Sequence, residues 1–401
     1  MSRQDSALDA AAAHVRKLLH EQMQRVDRIS QPVEWIDYSK LDKLVIGVIG
    51  GDGIGPVIAK ETVRVMKELL KKEIASGRVQ INEIGGLEIE RRLKLMQPLP
   101  DDVLSEIRKC HVLLKGPTST PEEGSGVPNI ESANISIRRV FDLFANVRPV
   151  RIPAEGIDWV FFRENTEGEY MLGSRGLMVT PDLALDLKII TKPGAERIIR
   201  LAFEHARKTG RKKVTVVTKA NVVKTTDGLF LETARRVAKD YPEIAWDGWY
   251  IDVFTAKLID EKRRRDFQVV VLPNLYGDIV TDEAAELQGG VGTAGSANLG
   301  ARFGMFEAIH GSAPRMIAEG RGVYADPLSL MRAAVMMLEH VGMLAQSRRL
   351  AMALDICAIY EPKAKITGRP DGATAGQFGD QVIAALVDPQ LDSRWQSFQN
   401  H

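Results

Sequence analysis

The chain has 401 residues, too many for one small core, and its 44% hydrophobic and 27% charged content is ordinary for a globular protein of two or three domains. Its 54 basic residues balance 53 acidic ones to a net charge of +1, which leaves no electrostatic case for nucleic acid or an anionic membrane as a partner. No apolar run reaches bilayer length, and Cys110 and Cys357 stand apart without CxxC spacing, which excludes a cysteine-built metal site and fits a reducing compartment.

Residues 1–43 read as a helical extension. Leu8, Ala12, Val15, Leu18, Leu19 and Met23 recur at helical spacing and predict an amphipathic helix that packs on the body or on a partner subunit. Asp5, Asp9 and Glu21, without an apolar core and cleavage site, argue against a signal peptide. The body opens with an apolar strand over 43–49 and the turn Gly50-Gly51-Asp52-Gly53-Ile54-Gly55-Pro56, which lets backbone approach a ligand. Counted from Gly51, the third glycine of a G-x-G-x-x-G fingerprint falls on Pro56, so the dinucleotide pattern fails. A helix over 58–72, a strand near 79–83, a helix over 100–108 and a strand over 111–115 follow. This alternation predicts an α/β architecture with a largely parallel sheet.

A loop rich in Gly, Pro and Ser runs over 118–129, and then comes Ser132-Ala133-Asn134-Ile135-Ser136-Ile137-Arg138-Arg139. If helical, it sets Asn134 and Arg138 on one face; alternatively Ile135, Ile137 and Val140 face the core and the arginines are solvated. Trp159 to Phe162 reads as a buried strand emptying into the charge-dense turn from Arg163 to Tyr170, a common place for ligand groups in α/β proteins. Residues 168–188 predict a hairpin of the kind that pairs with another subunit. The strand over 213–218 leads to Lys219-Ala220-Asn221 and Lys224, and Trp249 to Asp252 ends a further strand.

The stretch Asn274-Leu275-Tyr276-Gly277-Asp278-Ile279-Val280-Thr281-Asp282 follows the apolar run 268–273. Asp278 and Asp282 are four residues apart, so a helix starting here carries both carboxylates on one face. Two such acids suit a hard divalent cation; they equally suit a capped helix start favoured by the dipole. A glycine-rich loop is expected from Gly289 to Gly300, then His310-Gly311-Ser312-Ala313-Pro314, and amphipathic helices over 329–341 and 377–386.

Together these motifs resemble the decarboxylating β-hydroxyacid dehydrogenases, the isocitrate and isopropylmalate dehydrogenase family, over roughly 44–386. The likeness is nearest to NAD-type isocitrate dehydrogenases. It rests on Arg163-Glu164-Asn165-Thr166-Glu167-Gly168-Glu169-Tyr170, Lys219-Ala220-Asn221 and Asn274-Leu275-Tyr276-Gly277-Asp278, in that order. The resemblance implies an isopropylmalate-dehydrogenase-like two-domain α/β fold with a mixed, largely parallel sheet, distinct from the Rossmann fold. It implies a large domain of 44–143 with 289–401 and a small domain of 144–288, with a dimer clasp near 168–190.

The resemblance further implies that Asp278, Asp282 and a partner subunit's Asp252 hold Mg²⁺ or Mn²⁺. Arg138, Arg148 and Arg163 would grip substrate carboxylates, Lys224 of the neighbouring subunit would act as the base, and Tyr170 would return a proton. Sharing of this kind implies a homodimer. Ser132 and Asn134 stand where isocitrate-acting members meet the γ-carboxylate, so oxidative decarboxylation of isocitrate in the cytoplasm is the expected activity. Isopropylmalate, homoisocitrate or tartrate-type activity, or a non-catalytic regulatory subunit, are the alternatives. His310, Gly311, Ser312, Ala313, Pro314, Arg315 and Asp326 would hold NAD⁺ or NADP⁺. Arg315 is a phosphate-type residue where NAD-preferring relatives carry aspartate, Asp326 stands where the family commonly has asparagine, and Val57 where it has glutamate.

Overall fold

The computed structural model describes residues 3–399 apart from 122, 123, 125 and 174, so part of the expected 118–129 loop lies outside the described residues. Among these residues the strands are β1 (Leu44–Ile49), β2 (Val79–Glu83), β3 (Val112–Lys115), β4 (Ala145–Ile152), β5 (Ile157–Glu164), β6 (Leu177–Thr180), β7 (Leu183–Leu185), β8 (Lys213–Thr218), β9 (Ala245–Tyr250), β10 (Val269–Leu272), β11 (Gly295–Leu299) and β12 (Gly304–Ala308). The N-terminal helix, α1, spans Arg3–Ile29. Two compact units divide the chain: Met1–Glu34 with Phe144–Ala284, and Trp35–Leu143 with Ala285–His401.

In the first unit the strands run in the order β4-β5-β10-β8-β9. The β10–β5, β10–β8 and β8–β9 pairs are parallel and β4–β5 is antiparallel, with Arg148 opposite Phe161. The all-apolar β10 is buried along its whole length, as a central parallel strand covered on both faces must be. The helix Lys192–Thr209 packs Ile198, Ile199, Ala202 and Phe203 inward. Thr191 caps its start by accepting the Gly194 N–H at 3.1 Å, a proline sits in its first turn, and left-handed Gly210 ends it. The expected hairpin is present as the antiparallel pair β6–β7, with Met178, Leu183 and Leu185 exposed. Asp252, expected at a strand end, sits instead in the first turn of the helix Ile251–Leu258, because β9 stops at Tyr250.

In the second unit the order is β2-β1-β3-β12-β11. The β1–β2, β1–β3 and β3–β12 pairs are parallel; β11–β12 is antiparallel. Ile49, Val103, Ile107, Leu113, Ile137 and Met305 form the centre of a buried cluster, and the Phe141 and Phe303 rings stack on one another at 4.4 Å. The glycine-rich stretch expected as a loop contains β11. Gly-Ser-Ala-Asn carries no β-branched or aromatic side chain, so strand propensity gives no signal there. Tertiary contact supplies it: a Cβ on Gly295 would lie 2.4 Å from the Ala333 nitrogen, so only glycine lets β11 lie this close to the helix Leu328–His340.

Candidate active site

The apolar β10 ends at Leu272 and the chain turns through Pro273 into the helix Asn274–Gln288. The helix begins four residues before Asp278, so Asp278 stands one turn inside it and is not a capping residue. The capped-start reading of this acid pair is therefore corrected, because the helix dipole acts mainly on the terminal turn. Asn274 is nearly fully buried and organises the start. Its Nδ2 donates to the Glu167 carbonyl at 2.9 Å, and its Oδ1 accepts Arg163 Nε at 2.9 Å and Nη2 at 2.7 Å.

Arg163, at the end of β5, donates through Nη1 to Asp278 Oδ1. The guanidinium stem lies across Gly277, where a Cβ would come within 2.6 Å of Arg163 Cγ. Arg148, on β4, donates through Nη1 to Thr281 Oγ1 at 2.5 Å and Asp282 Oδ1 at 2.8 Å, with Nη2 3.8 Å from Asp278. The Tyr170 hydroxyl donates to Asp278 Oδ2 at 3.1 Å, and its ring lies 5.6 Å from the Arg163 guanidinium carbon. Burial, then the Asp278 charge and hydrogen bond, raise the Tyr170 pKa, so the phenol holds its proton at neutral pH. Two carboxylates, two guanidinia and a phenol thus converge, with Asp278 and Asp282 still 35% and 59% exposed.

Lys224 and Asp252 are carried by other elements of this unit. Lys224 is exposed in the turn after β8. Asp252 accepts Lys219 Nζ at 2.5 Å, which holds its carboxyl below the usual range. Among the described residues, no three His, Cys, Asp or Glu side chains of one chain group as a metal site.

In the second unit, Ser132 precedes the helix Ala133–Val140, and Asn134 Oδ1 accepts the Thr118 hydroxyl at 3.1 Å. Ile137 faces the core, but Val140 is exposed and Ser136 is buried. Arg138 is not solvated: its Nη2 meets Glu307 Oε1 at 3.0 Å, while Lys115 Nζ lies 3.3 Å from Glu307 Oε2. Asn298 Nδ2 donates to the same carboxylate at 2.8 Å. Burial works to raise the Glu307 carboxyl, but Lys115 and Arg138 outweigh it and hold the pKa at about 2. Burial also lowers the pKa of Lys115.

The Gly50–Pro56 turn, the 117–119 loop and the loop after β12 meet in this unit. Asp52 N–H donates to Pro117 O at 2.8 Å, Ser119 and Ser312 hydroxyls are 2.8 Å apart, and Ile54 N–H donates to Ser312 O at 3.0 Å. Ala313 is left-handed, and Pro314 opens the short helix Pro314–Ala318. His310 Nδ1 lies 3.0 Å from the Gly311 carbonyl. Asp326 accepts the Leu328 N–H at 2.9 Å, and burial raises its pKa. Arg315 is exposed and paired with Glu319 at 2.6 Å.

Residues 45–366 match the family model described as isocitrate/isopropylmalate dehydrogenase. The chain belongs to this family. Over 350 residues it is 37% identical to the NAD isocitrate dehydrogenase subunit 2 of Schizosaccharomyces pombe mitochondria, covering 85% of this chain and 87% of that one. It is equally identical over 353 residues to homoisocitrate dehydrogenase of Methanocaldococcus jannaschii, covering 84% and 96%. The NADP isocitrate dehydrogenase of Rickettsia prowazekii is 37% identical over 304 residues, 74% of this chain and 59% of that longer one. Among solved structures, isocitrate dehydrogenase from Methylococcus capsulatus superposes with a TM-score of 0.75 at 34% identity, covering 86% of this chain and all of that one. The fold is the family's α/β fold.

Family membership implies a divalent metal and a nicotinamide cofactor, and the residues fit both. Asp278 and Asp282 offer hard carboxylate oxygens on a half-open face, the donor type that Mg²⁺ and Mn²⁺ prefer. Three backbone-rich loops meet around Ser312, and in the same loop His310 carries a buried Nε2 without a hydrogen-bond partner that can serve a bound dinucleotide. Asn274 and Glu167 stand in the motifs that carry the resemblance but with no role assigned from sequence, and Lys115 and Glu307 have none either. Lys115 had a signal, a charge closing the apolar run of β3; the others acquire their place from residues far along the chain.

Proposed function

We propose that the chain oxidatively decarboxylates isocitrate to 2-oxoglutarate with hydride transfer to NAD⁺ or NADP⁺. The observation that carries this reading is the convergence of Arg148, Arg163 and Tyr170 on Asp278 and Asp282 in one unit. Asp278, Asp282 and the partner subunit's Asp252 would hold a divalent ion, which would supply Lewis acidity toward the substrate hydroxyl. Arg148 and Arg163, with Arg138, bind the substrate carboxylates in two-pronged fashion. Tyr170 keeps its proton and delivers it to the enolate carbon after CO₂ leaves. Lys224 of the partner subunit takes the hydroxyl proton, so the working form is a homodimer, clasped near 168–190, acting in the cytoplasm. Ser132 and Asn134 suit a carboxylate, and an isopropyl group would offer nothing to the Ser132 hydroxyl or the Asn134 amide N–H groups.

Homoisocitrate is the second reading, favoured by the Methanocaldococcus relative. The test is a rate matrix for the purified protein on isocitrate, homoisocitrate, 3-isopropylmalate and tartrate with each cofactor and Mg²⁺. We expect kcat/KM for isocitrate to exceed that for 3-isopropylmalate about a hundredfold or more, and a chelator to abolish turnover. Faster turnover of 3-isopropylmalate would overturn the substrate, and no turnover on any of the four would favour the regulatory subunit.

A further inference from the structure

α1 lies outside the stretch that the family model matches. Its buried positions, Leu18, Gln22 and Arg25, recur at spacings of four and three and so form one stripe facing the first unit. An arginine on such a stripe is unusual, since its charge must lose water unless a partner replaces it. Arg25 Nη1 donates to Glu167 Oε1 at 2.7 Å, and Nη2 to Thr166 Oγ1 at 3.1 Å. Glu167 and Glu164 are both fully buried, three residues apart. Glu164 Oε2 accepts the N–H groups of Thr166 and Glu167 at 2.9 and 2.5 Å, and so holds the turn's backbone.

The charged groups facing this acid pair are Arg25 from α1 and Arg197 from the helix Lys192–Thr209. Beyond Tyr170, α1 grips the same turn again. His14 Nε2 lies 3.1 Å from the Arg175 carbonyl, and Arg175 Nη1 donates to Glu21 at 2.6 Å. The catalytic turn is thus held from both sides by a helix that the matched family region lacks. The Glu167 side chain is tied to Arg25, and its carbonyl orients Asn274, which in turn holds Arg163.

We propose that α1 is a positioning element for the Tyr170 turn, with Arg25 the counter-cation that keeps Glu164 and Glu167 together in the interior. This rests on the reading of Tyr170 and Arg163 as active-site groups. Burial, then the neighbouring Glu167, already push the Glu164 carboxyl up to about 7. Without Arg25, one guanidinium faces two carboxylates. One acid must then take a proton or move to water, and the Thr166 and Glu167 backbone moves with it. At low pH a proton replaces the missing cation, so the defect belongs to high pH.

The test uses the full chain carrying Arg25→Met, Arg25→Lys, or Arg25→Met with Glu167→Gln. Hydrogen exchange of residues 164–173 is measured without substrate, and kcat with the KM for isocitrate and for the cofactor in turnover of isocitrate, each against wild type at pH 6 and pH 9. Arg25→Met should exchange roughly tenfold faster in this turn at pH 9 and near the wild-type rate at pH 6. Its kcat should fall by up to about a hundredfold at pH 9 with cofactor KM nearly unchanged. Arg25→Lys should lie between, and the double variant should regain most of the protection. Wild-type exchange and kcat at pH 9, or faster exchange spread evenly through the first unit at both pH values, would overturn the proposal. A wild-type chain without turnover on any hydroxyacid would sink the proposed function, and the exchange result would still decide the role of Arg25.

Discussion

Two buried glutamates, one in each unit, end with their carboxyls shifted in opposite directions. Glu307 faces two cations, Lys115 and Arg138, and its carboxyl is held at about 2. Glu164 shares its interior with a second acid, Glu167, against two guanidinia, and its carboxyl rises to about 7. Desolvation works on both in the same sense, so the local balance of charge decides the outcome. An acid outnumbered by cations stays ionised; an acid that shares its cations with another is left near its protonation point. The first arrangement suits a fixed carboxylate, the second a turn sensitive to what surrounds it.

The comparison is tested most severely at Glu307. Glu307→Gln leaves Lys115 and Arg138 buried without their anion and should destabilise the second unit by about 3–5 kcal/mol in urea unfolding near neutral pH. The Glu307 contribution is full above the ordinary 4.5 and is lost as the pH falls toward 2, so the gap between variant and wild type should close in acid. A stable variant with an unchanged acid limb would show that Glu307 is not the counter-ion of this cluster.

Glu164 should show the opposite slope. Its folded form keeps a proton that the unfolded chain has released, so the stability it contributes is present below about 4.5 and is lost as the pH rises through about 7. Glu164→Gln removes that titration. Relative to wild type, the variant should gain about 1–3 kcal/mol between pH 4.5 and 7, read from chemical unfolding of the first unit. A parallel pH dependence in the two proteins would break the contrast with Glu307.

The smallest structural effect is expected at the surface. Arg315 and Glu319 form an exposed pair, which water and salt screen. Arg315→Asp should leave the unfolding midpoint unchanged but raise KM for NADP⁺ about tenfold, with NAD⁺ little affected, if the guanidinium reads the phosphate. An unchanged KM for NADP⁺ would assign that role elsewhere.

Much of the site was legible along the chain because its parts sit where strands end. The apolar runs of β5 and β10 mark Arg163 and the Asn274 turn, and i, i+4 spacing places Asp278 beside Asp282 on one helix face. β11 was not legible, since small polar residues carry no strand signal and its place depends on glycine contact with a later helix. The position of Asp252 within a helix was missed because the end of β9 has no turn residue to announce it.

The amino-acid order alone determined the α/β alternation, the family motifs and the pairing of the two aspartates, all of which are encoded within a few residues. Tertiary structure alone decided the partners of the buried charges. Arg25 meets Glu167 across 142 residues and Arg138 meets Glu307 across 169, separations at which no periodicity survives. The physical reason is that a buried charge is tolerated only where the fold brings an opposite one to it, and that meeting is a property of packing, not of any local stretch.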